Sequence, residues 1–67
     1  MSDVMYPDIT VKMVGMDGNA FAILARVRNA LRRAKIRDKY IQKFTDEAMK
    51  GDYDNLLQTC MKWVSVE

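Results

Sequence analysis

Residues 9–21 read ITVKMVGMDGNAF, and the fold is decided where this stretch changes from strand to helix. Its first half alternates, with Ile9, Val11 and Met13 on one face, and it is rich in β-branched side chains. Alternation of this kind is typical of a half-buried strand, so we predict a strand over residues 9–14.

A glycine turn, residues 15–18, separates that strand from the first helix. Asn19 or Asp17 is the expected N-cap, because both side chains accept hydrogen bonds from the first N–H groups of a helix. The junction opens onto a helix start, whose free N–H groups and dipole favour an anion. The same turn is also explained by helix capping alone, and both interpretations stay open.

Three helices follow in the pattern. The first, over about residues 19–34, carries one apolar stripe at helical spacing, formed by Ala20, Ile23, Leu24, Val27, Leu31 and Ala34. Arg26, Asn29 and Arg33 cluster on its opposite face. A second helix is predicted over about residues 37–50. Asp52 caps a third, whose apolar residues are Tyr53, Leu56, Leu57, Cys60 and Met61.

The tail, residues 62–66, alternates again and favours β structure, either as the helix end or as a short strand beside the first one. The fold class is therefore α+β and mostly helical: one N-terminal strand, then three helices, with a short C-terminal strand as the open alternative. We expect a flexible arm over residues 1–7 and a single small domain over residues 8–67.

The chain has 67 residues, one cysteine and no histidine. A domain this small buries only about 60% of its unfolded surface and usually needs a disulfide, a metal or a partner. One cysteine excludes an internal disulfide and, without histidine, a zinc site is nearly excluded. We therefore expect a homo-oligomer, joined through the strand edge, the third helix or both, with Trp63, Val64 and Val66 as interface residues. For Trp63, a position as a lid over the small core is the open alternative.

The same inventory argues against an enzyme. Without histidine no Ser-His-Asp or Cys-His arrangement exists, and Cys60 falls on an apolar stripe. We predict no catalytic residue, no cofactor and no metal. A lone cysteine fits a reducing compartment, and neither a signal peptide nor a membrane span is apparent, so a cytoplasmic location is expected.

Charge is unevenly distributed around a net value of +2. Residues 20–44 contain eight Lys and Arg against Asp38 alone, whereas both ends of the chain are acidic. A basic middle segment indicates either solvated helix faces or a surface for anions. Arg28 and Arg32 flank Phe21, and guanidinium groups both grip phosphates and stack on bases.

The chain resembles a family of small uncharacterised proteins of bacteria and their phages. The likeness lies in residues 14–27 (VGMDGNAFAILARV), residues 30–34 (ALRRA), residues 47–57 (EAMKGDYDNLL) and the closing WVSVE. Where the family pattern leads us to expect glycine after Ala34, this chain has Lys35. The resemblance implies a cytoplasmic protein from a phage or mobile element, a class that mostly binds host proteins, nucleic acids or signalling nucleotides.

We therefore expect a non-enzymatic binding protein that sequesters a phosphate-bearing ligand, such as a signalling nucleotide, between subunits and so inhibits host defence. The predicted ligand-binding residues are Gly18, Asn19, Ala20, Phe21, Arg26, Arg28, Arg32 and Tyr53. An inhibitor or adaptor of a host protein is an alternative, and a nucleic-acid-binding protein is a second. We expect no membrane association.

Overall fold

A computed structural model describes residues 4–12 and 19–67. Strand β1 (Tyr6–Val11) is followed by helices α1 (Ala20–Arg33), α2 (Asp38–Ala48) and α3 (Tyr53–Trp63), and then by strand β2 (Val64–Val66). The expected α+β, mostly helical class and its order of elements are confirmed. Of the two predictions for the C-terminal residues, a helix end or a short strand, the strand is confirmed, and it begins directly after α3.

The two strands form a parallel pair in which Thr10 lies opposite Ser65 and Val11 opposite Val66. The register shifts between Tyr6 and Thr10, so β1 carries extra residues there. Such a shift bends a strand and locally interrupts the ladder.

The prediction placed the first strand over residues 9–14, and its start is wrong by three residues. The Tyr6 ring lies 6.0 Å from the Trp63 ring, and the main-chain N–H of Met5 donates to the Lys62 oxygen at 2.9 Å. These contacts with the end of α3 extend the strand towards the N-terminus, although Pro7 and Asp8 carry no strand signal. The end of the predicted strand, at residues 13 and 14, and the glycine turn lie outside the described residues.

One apolar core holds the elements together. Trp63 and Phe44 are its largest members, 1% and 0% exposed, and their rings meet edge to face at 5.6 Å. All three helices and both strands contribute, through Val11, Ile23, Leu24, Val27, Leu31, Ile41, Phe44, Ala48, Leu56, Cys60, Trp63 and Val64. Tyr53 and Met61, expected on the apolar stripe of α3, are 41% and 58% exposed. Thr59 and Trp63 occupy that face instead.

Helix α1 ends in a turn that normally favours glycine. Lys35 has φ 64°, its N–H donates to the Arg32 oxygen, and the Ile36 N–H donates to the Leu31 oxygen, each at 3.0 Å. This pair of bonds is the Schellman motif, and Ile36 packs against the core as the motif requires. The lysine in place of the expected glycine leaves the turn intact and adds a left-handed residue with a side chain.

The corner between α2 and α3 is closed by the Asn55 side chain. Its amide donates to the main-chain oxygens of Glu47 and Ala48, at 3.0 and 3.3 Å, and so satisfies the last carbonyls of α2. Asp52 accepts from the Asn55 N–H and caps α3 as predicted. A Cβ on Gly51 would lie 2.9 Å from the Asn55 Cβ, so glycine is needed for the close approach.

Within residues 4–12 and 19–67, no helix combines the length and apolarity that crossing a membrane requires. The predicted arm over residues 1–7 overlaps the strand, since Tyr6 and Pro7 belong to β1. Its flexibility stays a prediction.

Candidate functional site

An open cleft of about 630 Å³ lies between β1 and α1. One wall is formed by residues 8–12, at the end of β1. The other is a flank of α1 together with its C-cap, from Ala22 to Ala34. The helix wall is built mostly from alanines (Ala22, Ala25, Ala30 and Ala34), interrupted by Arg26, Asn29 and Arg33. Because alanine side chains are short, they leave the volume free and the longer polar side chains stand around it.

Cations dominate the charged groups of the cleft. Arg26 and Arg33 come from the helix and Lys12 from the end of the strand, while Asp8 is the one acid in the lining. Among the described residues, none of these cations forms an ion pair within 4.0 Å. The ion pair seen in the described part of the chain, between Lys62 and Glu47, lies outside the cleft. An unpaired guanidinium beside a concave surface is free to bind a carboxylate or phosphate in two-point fashion.

Helical spacing brings the cleft side chains together. Arg26, Asn29 and Arg33 recur at three- and four-residue intervals and therefore share one flank of α1. The buried residues Ile23, Val27 and their stripe fix the opposite side of the helix in the core. The core therefore orients the arginines, and the strand supplies the second wall.

The start of α1 is a weaker anion site than the sequence suggests. The Asn19 side-chain oxygen accepts from the N–H groups of Phe21 and Ala22, at 3.1 and 3.2 Å. The cap therefore occupies two of the donors that an anion would use. Ala20 packs against the core, and Gly18 lies outside the described residues, as does Asp17, the alternative cap.

Of the other predicted ligand residues, one lines the cleft and four do not. Arg26 lines the cleft, whereas Phe21, Arg28, Arg32 and Tyr53 do not. Phe21 is 73% exposed, and Arg28 is half-buried, with an enclosed Nε that finds no hydrogen-bond partner in the described part of the chain. The combination of Phe21, Arg28 and Arg32 on one flank thus lies outside the cleft.

Two of the three predicted interface residues are buried by the packing of the chain on itself. Trp63 and Val64 are 1% and 0% exposed, because the Trp63 ring packs on Phe44 and Tyr6 inside the chain's own core. In the folded chain these side chains have no surface to offer a partner. Val66, at the end of β2, is 37% exposed and has side-chain surface that a partner could contact.

Sequence reasoning missed Lys12 and Arg33 as site residues. The periodicity did place Arg33 with Arg26 and Asn29, so the signal was present on the helix side. Lys12 was predicted only to lie on the strand face opposite Ile9 and Val11, and its position across the cleft from α1 depends on tertiary packing.

The Cys60 thiol lies away from the cleft. Cys60 is fully buried in the core, and burial raises the pKa of its thiol from 9.0 to about 11. A thiol that ionises so reluctantly is a poor nucleophile. No group of three His, Cys, Asp or Glu side chains comes together in the described parts of the chain.

Comparisons with known protein families, with curated proteins and with solved structures find no match to this chain. The resemblance to small bacterial and phage proteins therefore stays a prediction, and the cleft carries the functional argument by its own geometry.

Proposed function

We propose that this chain is a non-enzymatic binding protein that takes a phosphate-bearing small ligand in the cleft between β1 and α1. The observation that supports this proposal is the set of cations around one open volume, Lys12, Arg26 and Arg33, which form no ion pair with any residue that the structure describes. Asn29 adds an amide that both donates and accepts hydrogen bonds, as recognition of a sugar or a base requires.

The size of the cleft fits this ligand class. Its volume of about 630 Å³ lies within the range of about 300–1,000 Å³ that is usual for small-molecule sites. A nucleotide needs apolar surface for its base as well as charge for its phosphate. The alanines of the helix wall provide the apolar surface, and the arginines provide the charge.

A signalling nucleotide is the ligand that we propose within this class, in a cytoplasmic protein that sequesters it from a host-defence pathway. This narrower proposal rests on the resemblance to small phage proteins. Phosphate recognition rests on the cleft alone, so the two parts are tested separately.

Isothermal titration with a panel of linear and cyclic nucleotides tests the ligand class, with inorganic phosphate as the probe for charge alone. We expect at least one nucleotide to bind with measurable heat. Arg26→Ala and Arg33→Ala should each weaken it about tenfold or more, because a hydrogen bond to a charged group contributes about 1.5–3 kcal/mol.

Arg32→Ala is the matched control, since it removes the same side chain from the same helix but outside the cleft. Equal losses in Arg32→Ala and Arg26→Ala would place binding elsewhere. If no nucleotide binds, the ligand class is wrong. If instead DNA or RNA binds with an affinity that falls steeply with salt, the nucleic-acid alternative replaces this proposal.

A further inference from the structure

The outer edge of β1 lacks a strand partner among the described residues. The sheet there has two strands, β1 and β2, and β2 covers one edge of β1 only. The main-chain oxygen of Val11 accepts from the Glu67 N–H at 2.9 Å, so the main-chain groups of Val11 face β2. Because these groups alternate along a strand, those of Thr10 face the other edge, and Lys12 follows directly after the last residue of β1.

An open strand edge is a template for another strand, and soluble proteins normally protect it. A two-stranded sheet is also marginal by itself, and here the second strand has only three residues. Both facts favour an additional strand on this edge.

The sequence of the edge is complementary to itself. Around Thr10, apolar Ile9 and Val11 lie at equal distances on the two sides, and so do Asp8 and Lys12. If two copies of β1 run antiparallel with Thr10 opposite Thr10, then each Asp8 lies opposite the other copy's Lys12. A two-fold interface needs this property, because the same patch must fit itself.

The two faces of the strand suit the same arrangement. Asp8, Thr10 and Lys12 are exposed, so their cross-strand pairs would form on the outer face. Val11 is buried and Ile9 half-buried against the core, so a second strand would extend the apolar inner face. Opposite charges across neighbouring strands stabilise the pair, whereas like charges destabilise it.

We propose that β1 of a second copy of this chain pairs antiparallel with β1, centred on Thr10, with Asp8 facing Lys12 of the partner subunit. The result is a four-stranded sheet in the order β2–β1–β1–β2. Residues 8–12 also form the strand wall of the cleft. The pairing therefore takes Lys12 into the interface and leaves Arg26 and Arg33 as the cations that remain for a ligand. This proposal rests on the strand edge and its charges, and it does not depend on any ligand.

Sedimentation of the full chain without ligand tests the pairing, as a species of twice the 7.8 kDa chain mass. Lys12→Glu places two acids opposite each other at two symmetric positions, and we expect the dimer Kd to rise about tenfold or more. The double variant Asp8→Lys/Lys12→Glu restores opposite charges and should restore the dimer. Lys43→Glu makes the same charge change on α2 and serves as the control.

Thr10→Pro provides a second variant, because it removes a main-chain N–H from the outer edge and not from the β2 side. We expect a monomer with the circular dichroism of the wild type. A wild-type chain that is monomeric at all accessible concentrations would overturn the proposal. A dimer that Lys12→Glu leaves unchanged, or that the double variant fails to restore, would do so as well. Arg26→Ala should leave the dimer intact, so loss of ligand binding and loss of pairing are distinguishable.

Discussion

The cleft between β1 and α1 and the corner between α2 and α3 differ in the contacts that their polar side chains already make. The corner between α2 and α3 holds a small cavity of about 170 Å³, lined by Glu47, Lys50, Asn55, Gln58, Thr59 and Lys62. There Asn55 and Thr59 donate to main-chain oxygens, and Lys62 is 3.9 Å from Glu47. In the cleft of about 630 Å³, by contrast, the cations have no ion-pair partner among the described residues.

This difference separates a structural site from a binding site. Polar groups that satisfy each other within the chain contribute to its stability and leave nothing for a ligand. Cations held beside an open volume contribute little to stability, since exposed charges are well solvated. We therefore expect substitutions in the corner to lower the free energy of unfolding, and substitutions in the cleft to affect binding.

The largest expected effect is that of Asn55→Ala in the corner. It leaves the last carbonyls of α2 without their donor and removes a half-buried side chain, at a cost of about 2–3 kcal/mol in the free energy of unfolding. Urea unfolding measures this loss. Arg33→Ala is the matched cleft variant and should change the stability by less than about 0.5 kcal/mol. Equal losses for both variants would remove the distinction between the two regions.

The next largest expected effect is a dependence of the free energy of unfolding on pH, which arises from Cys60 in the core. Because burial raises the pKa of Cys60 from 9.0 to about 11, the folded state favours the neutral thiol. The stabilisation is complete below pH 9 and is lost as the pH rises from 9 towards 11. Unfolding should be easier by about 2 kcal/mol near pH 10.5 than near pH 8.

Tyrosine and lysine side chains titrate in the same range, so the test is a difference between two chains. Cys60→Ala should be less stable than the wild type at neutral pH, because it leaves a cavity, but it should lose less stability on going to high pH. Parallel stability–pH curves for the two proteins would show that the thiol does not contribute.

The smallest effect is a gain in stability from Lys35→Gly at the end of α1. Lys35 holds φ 64°, a conformation that costs a residue with a side chain about 1 kcal/mol. Glycine removes that cost and adds some entropy to the unfolded chain, so the net gain is about 0.5 kcal/mol. Thermal unfolding measures it, with Lys39→Gly inside α2 as a control that should destabilise. A loss of stability in Lys35→Gly would mean that the lysine side chain itself supports the turn.

Local signals in the sequence account for most of the fold. The stripe of α1, the Asn19 cap and the Asp52 cap are all readable from spacing and residue type, because each depends on neighbours within four or five positions. The start of β1 is not, since Tyr6 and Pro7 join the strand through contacts with residues more than fifty positions away.

The sequence predicted the helix side of the candidate site but not the strand side. Arg26 and Arg33 share a flank by helical periodicity, but their alignment with Lys12 depends on how α1 packs across β1. Phe21, Arg28 and Arg32 share a flank by the same rule, yet they lie outside the cleft. Periodicity groups side chains on a helix and does not say which group faces a neighbouring element.

The sequence by itself determined the class, the order of the elements, the apolar stripe of α1 and the charge of the middle segment, because these properties are local or compositional. Only the tertiary structure decided that Trp63 and Val64 belong inside the core and that one edge of β1 has no strand partner within residues 4–12 and 19–67. The tertiary structure also decided which arginines line the cleft. These outcomes depend on contacts between distant residues, whose free energies appear only when the helices and strands pack together.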